Sequence, residues 1–227
     1  MEILLIAGLW LGAPAWDAVL APLQEHGHHP TPVSLPGQGA PPPAATLEDQ
    51  RQAVLAALDR ASGKVMLVGH SAASTLAWMA CDARPERVAR LALIGGFVSA
   101  DGAQYAPFFA IADGVMPFPG WQEFAGPDSA DLDAATREAI AAAAIPVPEG
   151  VAHGIVHLRD ERRYEVPVTL VCPEYSAAEA RGWIESGQVP ELRRARSVDY
   201  VDIESGHWPM FTRPRELADL LASLADA

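Results

Sequence analysis

Short apolar runs closed by turn-forming residues recur along the chain, and they alternate with stretches whose apolar positions return every three or four residues. The runs at 3–7, 32–35, 65–68, 91–94, 168–172 and 198–203 predict buried strands. The helical periods predict helices over 15–24, 47–60, 71–83, 133–144, 177–186 and 214–224. Thr46 with Asp49 three residues on comes close to a capping box at the entry to the second of these. Strands that are apolar on both faces and alternate with helices indicate a mainly parallel sheet covered on each side, an α/β fold.

One long segment, 97–167, breaks the alternation and holds no strand pattern. It carries instead Tyr105, Phe108, Phe109, Met116, Phe118, Trp121 and Phe124 among many prolines. It is too aromatic for a disordered insertion, and the expectation is a small helical lid inside one domain, 1–227. The aromatics of such a lid pack it onto the body and also line a pocket. "APPPAAT" at 40–46 reads as a stiff connection.

Composition narrows the function. With 227 residues, 50% of them hydrophobic, one sizeable core is expected. The net charge of −13, from 16 Lys+Arg against 29 Asp+Glu, disfavours nucleic acid as a partner. The run at 193–196 reads as the solvated end of a helix. Two cysteines, Cys81 and Cys172, imply no disulfide framework and fit a reducing, cytoplasmic setting. The opening "MEILLIAGLW" resembles a first buried strand more than a signal peptide. No apolar run nears the roughly 20 residues that span a bilayer.

The chemistry concentrates in "KVMLVGHSAAS", 64–74. A buried strand runs through Gly69-His70-Ser71 directly into a helix, which lifts the Ser71 hydroxyl above the sheet edge beside free backbone N–H groups. The usual pattern is G-x-S-x-G, and here Ala73 takes the last position at the cost of one methyl. A base is available in "IESGHWPMFTRP", where His207 follows the last strand. Parallel strands end on one edge, so that loop can reach Ser71 and take its proton. Serine first and histidine near the end is one of the known chain orders of such triads.

With these residues in view, the chain resembles the α/β-hydrolase fold over essentially its whole length. "LLIAGLWLGAPAW" matches the family's first-strand loop at Gly8 and Leu9, with Ala7 where histidine is common. The loop ending in Trp16, the pair Gly27-His28, the "RYEVPVTLV" run at 163–171 and the small lid are similar to the plant methyl-ester esterases and hydroxynitrile lyases. The resemblance implies a serine hydrolase that cleaves an ester, thioester or similar acyl bond of a small, fairly apolar substrate, with no cofactor. It assigns the oxyanion hole to the backbones of Leu9 and Ala72, and makes Trp10, Phe108, Phe109, Trp121 and Trp208 the expected pocket walls.

The resemblance also implies an acid after the penultimate strand. On the G-x-x-D register, "PEYS" puts Ser176 there, and Ser176 with Glu179 forms a helix capping box. One strand earlier stand Gly95 and Gly96, with Asp101 several residues on. Three readings stay open: Glu174 curls back to His207, the site runs as a Ser–His dyad, or it is inactive. An acid-to-amide change in a serine protease costs about 10⁴ in kcat while residual catalysis persists. The alternatives to a hydrolase are a hydroxynitrile-lyase-like enzyme and a non-catalytic binder of an apolar ligand. The lyase wants a pocket lysine, but Lys64, the sole lysine, stands at the wrong edge of the sheet. His26, His28 and His29 fit no zinc spacing, and no metal site or nucleotide motif is expected. His70 reads as structural, Cys172 as core, and the sequence permits a homo-oligomer.

Overall fold

The computed structural model describes residues 1–39 and 44–227. The connection read at 40–46 therefore lies partly outside the described residues. In chain order the elements are β1 (Glu2–Ile6), α1 (Asp17–Glu25), β2 (His29–Pro32), α2 (Leu47–Arg60), β3 (Val65–His70), α3 (Ala73–Ala83) and β4 (Val88–Ile94). Then come β5 (Val115–Met116), α4 (Ala134–Ala143), β6 (Val147–Pro148) and α5 (Glu149–Ala152). The last group is β7 (Val168–Cys172), α6 (Ala177–Glu185), α7 (Pro190–Arg194), β8 (Val198–Asp202), α8 (Pro209–Thr212) and α9 (Pro214–Asp226).

Six strands form one sheet in the order β2-β1-β3-β4-β7-β8, and each neighbouring pair is parallel. The expected α/β class is what is found. Alternation along β1 sends Ile3 and Leu5 to one face and Leu4 and Ile6 to the other. Trp16, Leu23, Leu217 and Leu221 cover the first face, while Val54, Leu58, Leu76 and Trp78 cover the second. Each such side chain, fully buried, contributes about 1.5–3 kcal/mol.

Three local differences from the sequence reading have physical causes. Strand β2 lies at 29–32 rather than 32–35, because it is an edge strand. His29 N–H donates to Met1 O and Val33 N–H to Leu5 O. Pro30 and Pro32 thus fall at alternate positions, where the missing N–H faces away from the sheet. Helix α3 begins at Ala73, not Ser71, because Ser71 is left-handed, with φ 55°. The segment 97–167 does contain strands, the antiparallel pair β5 and β6. At two residues each they are too short to show any alternation.

Both capping boxes are present. Thr46 Oγ1 accepts from Asp49 N–H at 3.2 Å, and Ser176 Oγ accepts from Glu179 N–H at 3.2 Å. Arg163, from the "RYEVPVTLV" run, ties the exit of the inserted segment to the body. It is buried, reaching Asp82 on α3 at 3.1 Å and Glu191 on α7 at 3.0 Å. Glu191 also accepts from Trp78 Nε1–H at 3.2 Å and Tyr164 O–H at 2.9 Å. Removing the cation leaves two buried carboxylates facing each other's field. Arg163→Met should therefore lower unfolding free energy by about 3–5 kcal/mol in urea denaturation. A loss within about 1 kcal/mol, the range of an exposed pair, would show that the cluster does not hold the segment.

Candidate active site

The strand-to-helix crossing at Ser71 is built by what its neighbours lack. Ser71 N–H still bonds to Ile94 O at 2.8 Å, as though β3 continued, while Ser71 O already accepts Ser74 N–H at 3.0 Å. One residue joins the two by taking φ 55°, a conformation that costs a non-glycine residue about 1–3 kcal/mol. A Cβ on Gly69 would stand 2.6 Å from Ala73 O, and one on Gly96 would overlap the Ser71 carbonyl. A Cβ on Gly8 would come within 3.0 Å of Ser71 Cβ. Ala73, in place of the usual last glycine, is fully buried at the start of α3.

The parallel sheet brings three strand ends to the same edge. Ser71 follows β3, Glu174 follows β7 and His207 follows β8. Strands lie about 4.8 Å apart, so the β8 loop must return roughly 15 Å to meet Ser71, passing over the ends of β7 and β4. Gly95 and Gly96 leave the end of β4 bare along that path. His207 Nδ1–H donates to Glu174 Oε1 at 2.6 Å, with both side chains nearly buried. The pair fits because residue 95 has no side chain: a Cβ there would lie 3.2 Å from His207 Nδ1 and 3.3 Å from Glu174 Oε2. The longer Glu side chain makes up the two-residue offset from Ser176, which caps α6. A carboxylate at Nδ1 holds the proton there and leaves Nε2 as the acceptor.

A cavity of about 220 Å³ opens onto Ser71 and His207. Its lining brings together Leu9, Trp10, Ser71, Phe108, Phe109, His207 and Trp208 from the sequence-read set, and adds His70 and Phe124. Trp121 is not on the cavity. It stands behind the wall, edge-on to Trp208 at 5.3 Å, with its Nε1–H donating to Arg137 O. Ala72 is buried beside Ser71 and also lies off the cavity surface. Neither Leu9 N–H nor Ala72 N–H donates to a backbone carbonyl among the described residues, so both are free donors next to Ser71. The turn carrying Leu9 is closed by Leu11 N–H to Gly8 O at 3.3 Å.

The sequence pattern of the alpha/beta hydrolase family matches residues 3–220. The chain belongs to that family. It is 25% identical to Methylesterase 7 of Arabidopsis thaliana over 99% of this chain and 96% of the relative. Among solved structures, it is similar to an extracellular alpha/beta-hydrolase from a Paenibacillus species, with a TM-score of 0.81 and 20% identity over 98% of each chain. It is also similar to polyneuridine aldehyde esterase, with a TM-score of 0.74 and 18% identity over 99% of this chain and 98% of the other.

Within this alpha/beta hydrolase fold, His70 does more than precede Ser71. It is 1% exposed, and its Nε2–H donates to the backbone carbonyl of His207 at 2.8 Å. Its Nδ1 has no partner and sits beneath Gly8. Burial, then the neighbouring His207, depresses its pKa to about 3, so the ring is neutral. The inserted segment reaches the same loop through Asp128, whose carbonyl accepts His207 N–H at 2.7 Å. The Asp128 carboxyl is held above the usual value by burial and by the charge of Glu174, with His207 opposing. Neither residue has a motif, and both contacts join segments far apart in sequence. Phe124 could have been found from the aromatic run in the insertion. Among the described residues no three His, Cys, Asp or Glu side chains gather as metal ligands. His26 pairs with Asp219, and Cys172 is a buried thiol pushed up to about 12 by desolvation.

The unfolded chain protonates His70 near 6.5, whereas the fold does so only at about 3. Between those values the unfolded state binds the extra proton, so stability falls as pH drops below 6.5. His70→Gln keeps an N–H donor without the titration. Urea unfolding from neutral to acidic pH should show wild type losing up to about 1.4 kcal/mol per pH unit more than the variant. Parallel acid limbs would refute this role.

Proposed function

We propose that the protein is a serine esterase that works through an acyl-enzyme, with Ser71 as nucleophile, His207 as base and Glu174 as the acid that orients it. The observation that carries this reading is the 2.6 Å bond from His207 Nδ1 to Glu174 Oε1 in a cavity that also holds Ser71. His207 Nε2 takes the Ser71 proton as Oγ attacks the ester carbonyl. The N–H groups of Leu9 and Ala72 stabilise the oxyanion. The imidazolium, held by Glu174, then protonates the departing alkoxide, and water repeats the sequence to release the acid.

A lining of Trp10, Phe109, Phe124 and Trp208 favours a small, fairly apolar substrate. At about 220 Å³, the cavity lies below the roughly 300–1,000 Å³ common for drug-sized ligands. The relative named a methylesterase and the neighbour named an esterase support an ester with a short alcohol. The segment 97–167 acts as the lid, since Phe108, Phe109 and Phe124 form one side of the cavity. Both cysteines are buried and unpaired, in keeping with a cytoplasmic protein. No helix among the described residues is long and apolar enough to cross a membrane.

Short-chain p-nitrophenyl esters and a fluorophosphonate probe test the reading. Wild type should turn over and become labelled, and Ser71→Ala should do neither. Glu174→Gln should keep the label slowly and lose up to about 10⁴ in kcat. If wild type is not labelled and shows no turnover above Ser71→Ala, the esterase reading fails. If Glu174→Gln matches wild type, the dyad replaces the triad. Gly95→Ala should lower kcat by about 10- to 100-fold by displacing the His–Glu pair. Unchanged kcat in that variant would mean the gap at residue 95 is not needed.

A further inference from the structure

We infer that Trp10 is a positioning residue that makes the oxyanion loop dependent on the closed inserted segment. The inference rests on the esterase reading above and adds to it a coupling between lid and catalytic donor. Trp10 is the third residue of the turn Gly8-Leu9-Trp10-Leu11 and has φ 61°, while Leu9 is not left-handed. That is the type II pattern, whose third position ordinarily takes glycine or asparagine. A bulky aromatic there keeps its conformation only if the surroundings enforce it.

Every polar anchor on Trp10 comes from the segment 97–167. Trp10 Nε1–H donates to Met116 O on β5 at 3.2 Å, and Trp10 O accepts Ile145 N–H at 2.9 Å. The indole is edge-on to Phe109, Phe118 and Phe124, with centroids 5.4–5.9 Å away. The residue is thus held on both its side chain and its carbonyl by a segment remote in sequence, while its neighbour Leu9 lines the Ser71 cavity. With the segment in place, the turn is fixed and Leu9 N–H stays aimed at the cavity. With it displaced, the turn keeps only its own 3.3 Å bond from Leu11 N–H to Gly8 O and the hold of Gln38 on Leu11 O, and the donor loses its aim.

Two variants break the anchors separately. Trp10→Phe keeps an aromatic ring but no Nε1–H. Ile145→Pro removes the N–H that reaches Trp10 O, along with the Ile145 side chain. The preceding residue suits a proline, since Ala144 already has φ −62° and ψ 129°. Ile145→Val retains the N–H and serves as the control. With p-nitrophenyl acetate, both anchor variants should lose about 10- to 100-fold in kcat, since donors to an oxyanion act in the transition state. KM should stay within about twofold, and Ile145→Val should behave as wild type. Amide exchange at residues 8–11 should quicken in Ile145→Pro, while exchange in α3 stays slow.

A fall in thermal stability with kcat and loop exchange both unchanged would overturn the inference and reduce Trp10 to packing. If wild type shows no esterase activity, the esterase reading falls by itself. In that case the exchange comparison still decides whether the segment holds the loop.

Discussion

Ser71 ends a strand and begins a helix within one residue, and much of the site depends on that compression. Its left-handed backbone brings the start of α3 so close to the ends of β1, β3 and β4 that Gly8, Gly69 and Gly96 have no room for a side chain. The strain is local, but the sheet supports it, since Ser71 keeps its bond to Ile94 at the end of β4. The same compression exposes the hydroxyl and leaves the first N–H groups of the helix without partners.

Glu174 is placed by different means. Where the family's usual register calls for an aspartate, Ser176 is occupied in capping α6, with its hydroxyl and amide both bound to Glu179. Glu174 reaches His207 from two residues earlier because its side chain is one methylene longer and because Gly95 leaves the path open. The His207 loop is held in turn by the neutral His70 from below and by Asp128 of the inserted segment from above. His207 is therefore fixed through its ring by Glu174 and through its backbone by two other elements.

A pattern joins the inserted segment to the rest. It supplies cavity walls, holds the carbonyl and indole of Trp10, and receives the amide of His207. Arg163 then secures its exit through Asp82 and Glu191. The segment read in sequence as a lid thus touches both the turn at residues 8–11 and the loop that carries His207.

The alternation of apolar strands and amphipathic helices was enough to establish the parallel α/β class, because burial on two faces writes a period that needs no partner to be read. Residue type and order single out Ser71 and His207 as candidates, and the sheet brings both to one cavity. The edge strand β2 was misplaced by three residues because its prolines break the apolar run, and β5 and β6 were too short to leave a pattern. Glu174 was visible in the sequence only as one of three readings. Its contact with His207 depends on the absence of a side chain at Gly95, just past the end of β4, the strand beside β7 on the side away from β8. The roles of His70, Asp128 and Trp10 likewise arise from contacts between segments far apart in sequence, or from a backbone angle. Local chemistry and periodicity are carried by neighbouring residues, while distances between loops are set only when the sheet brings its strand ends to one edge.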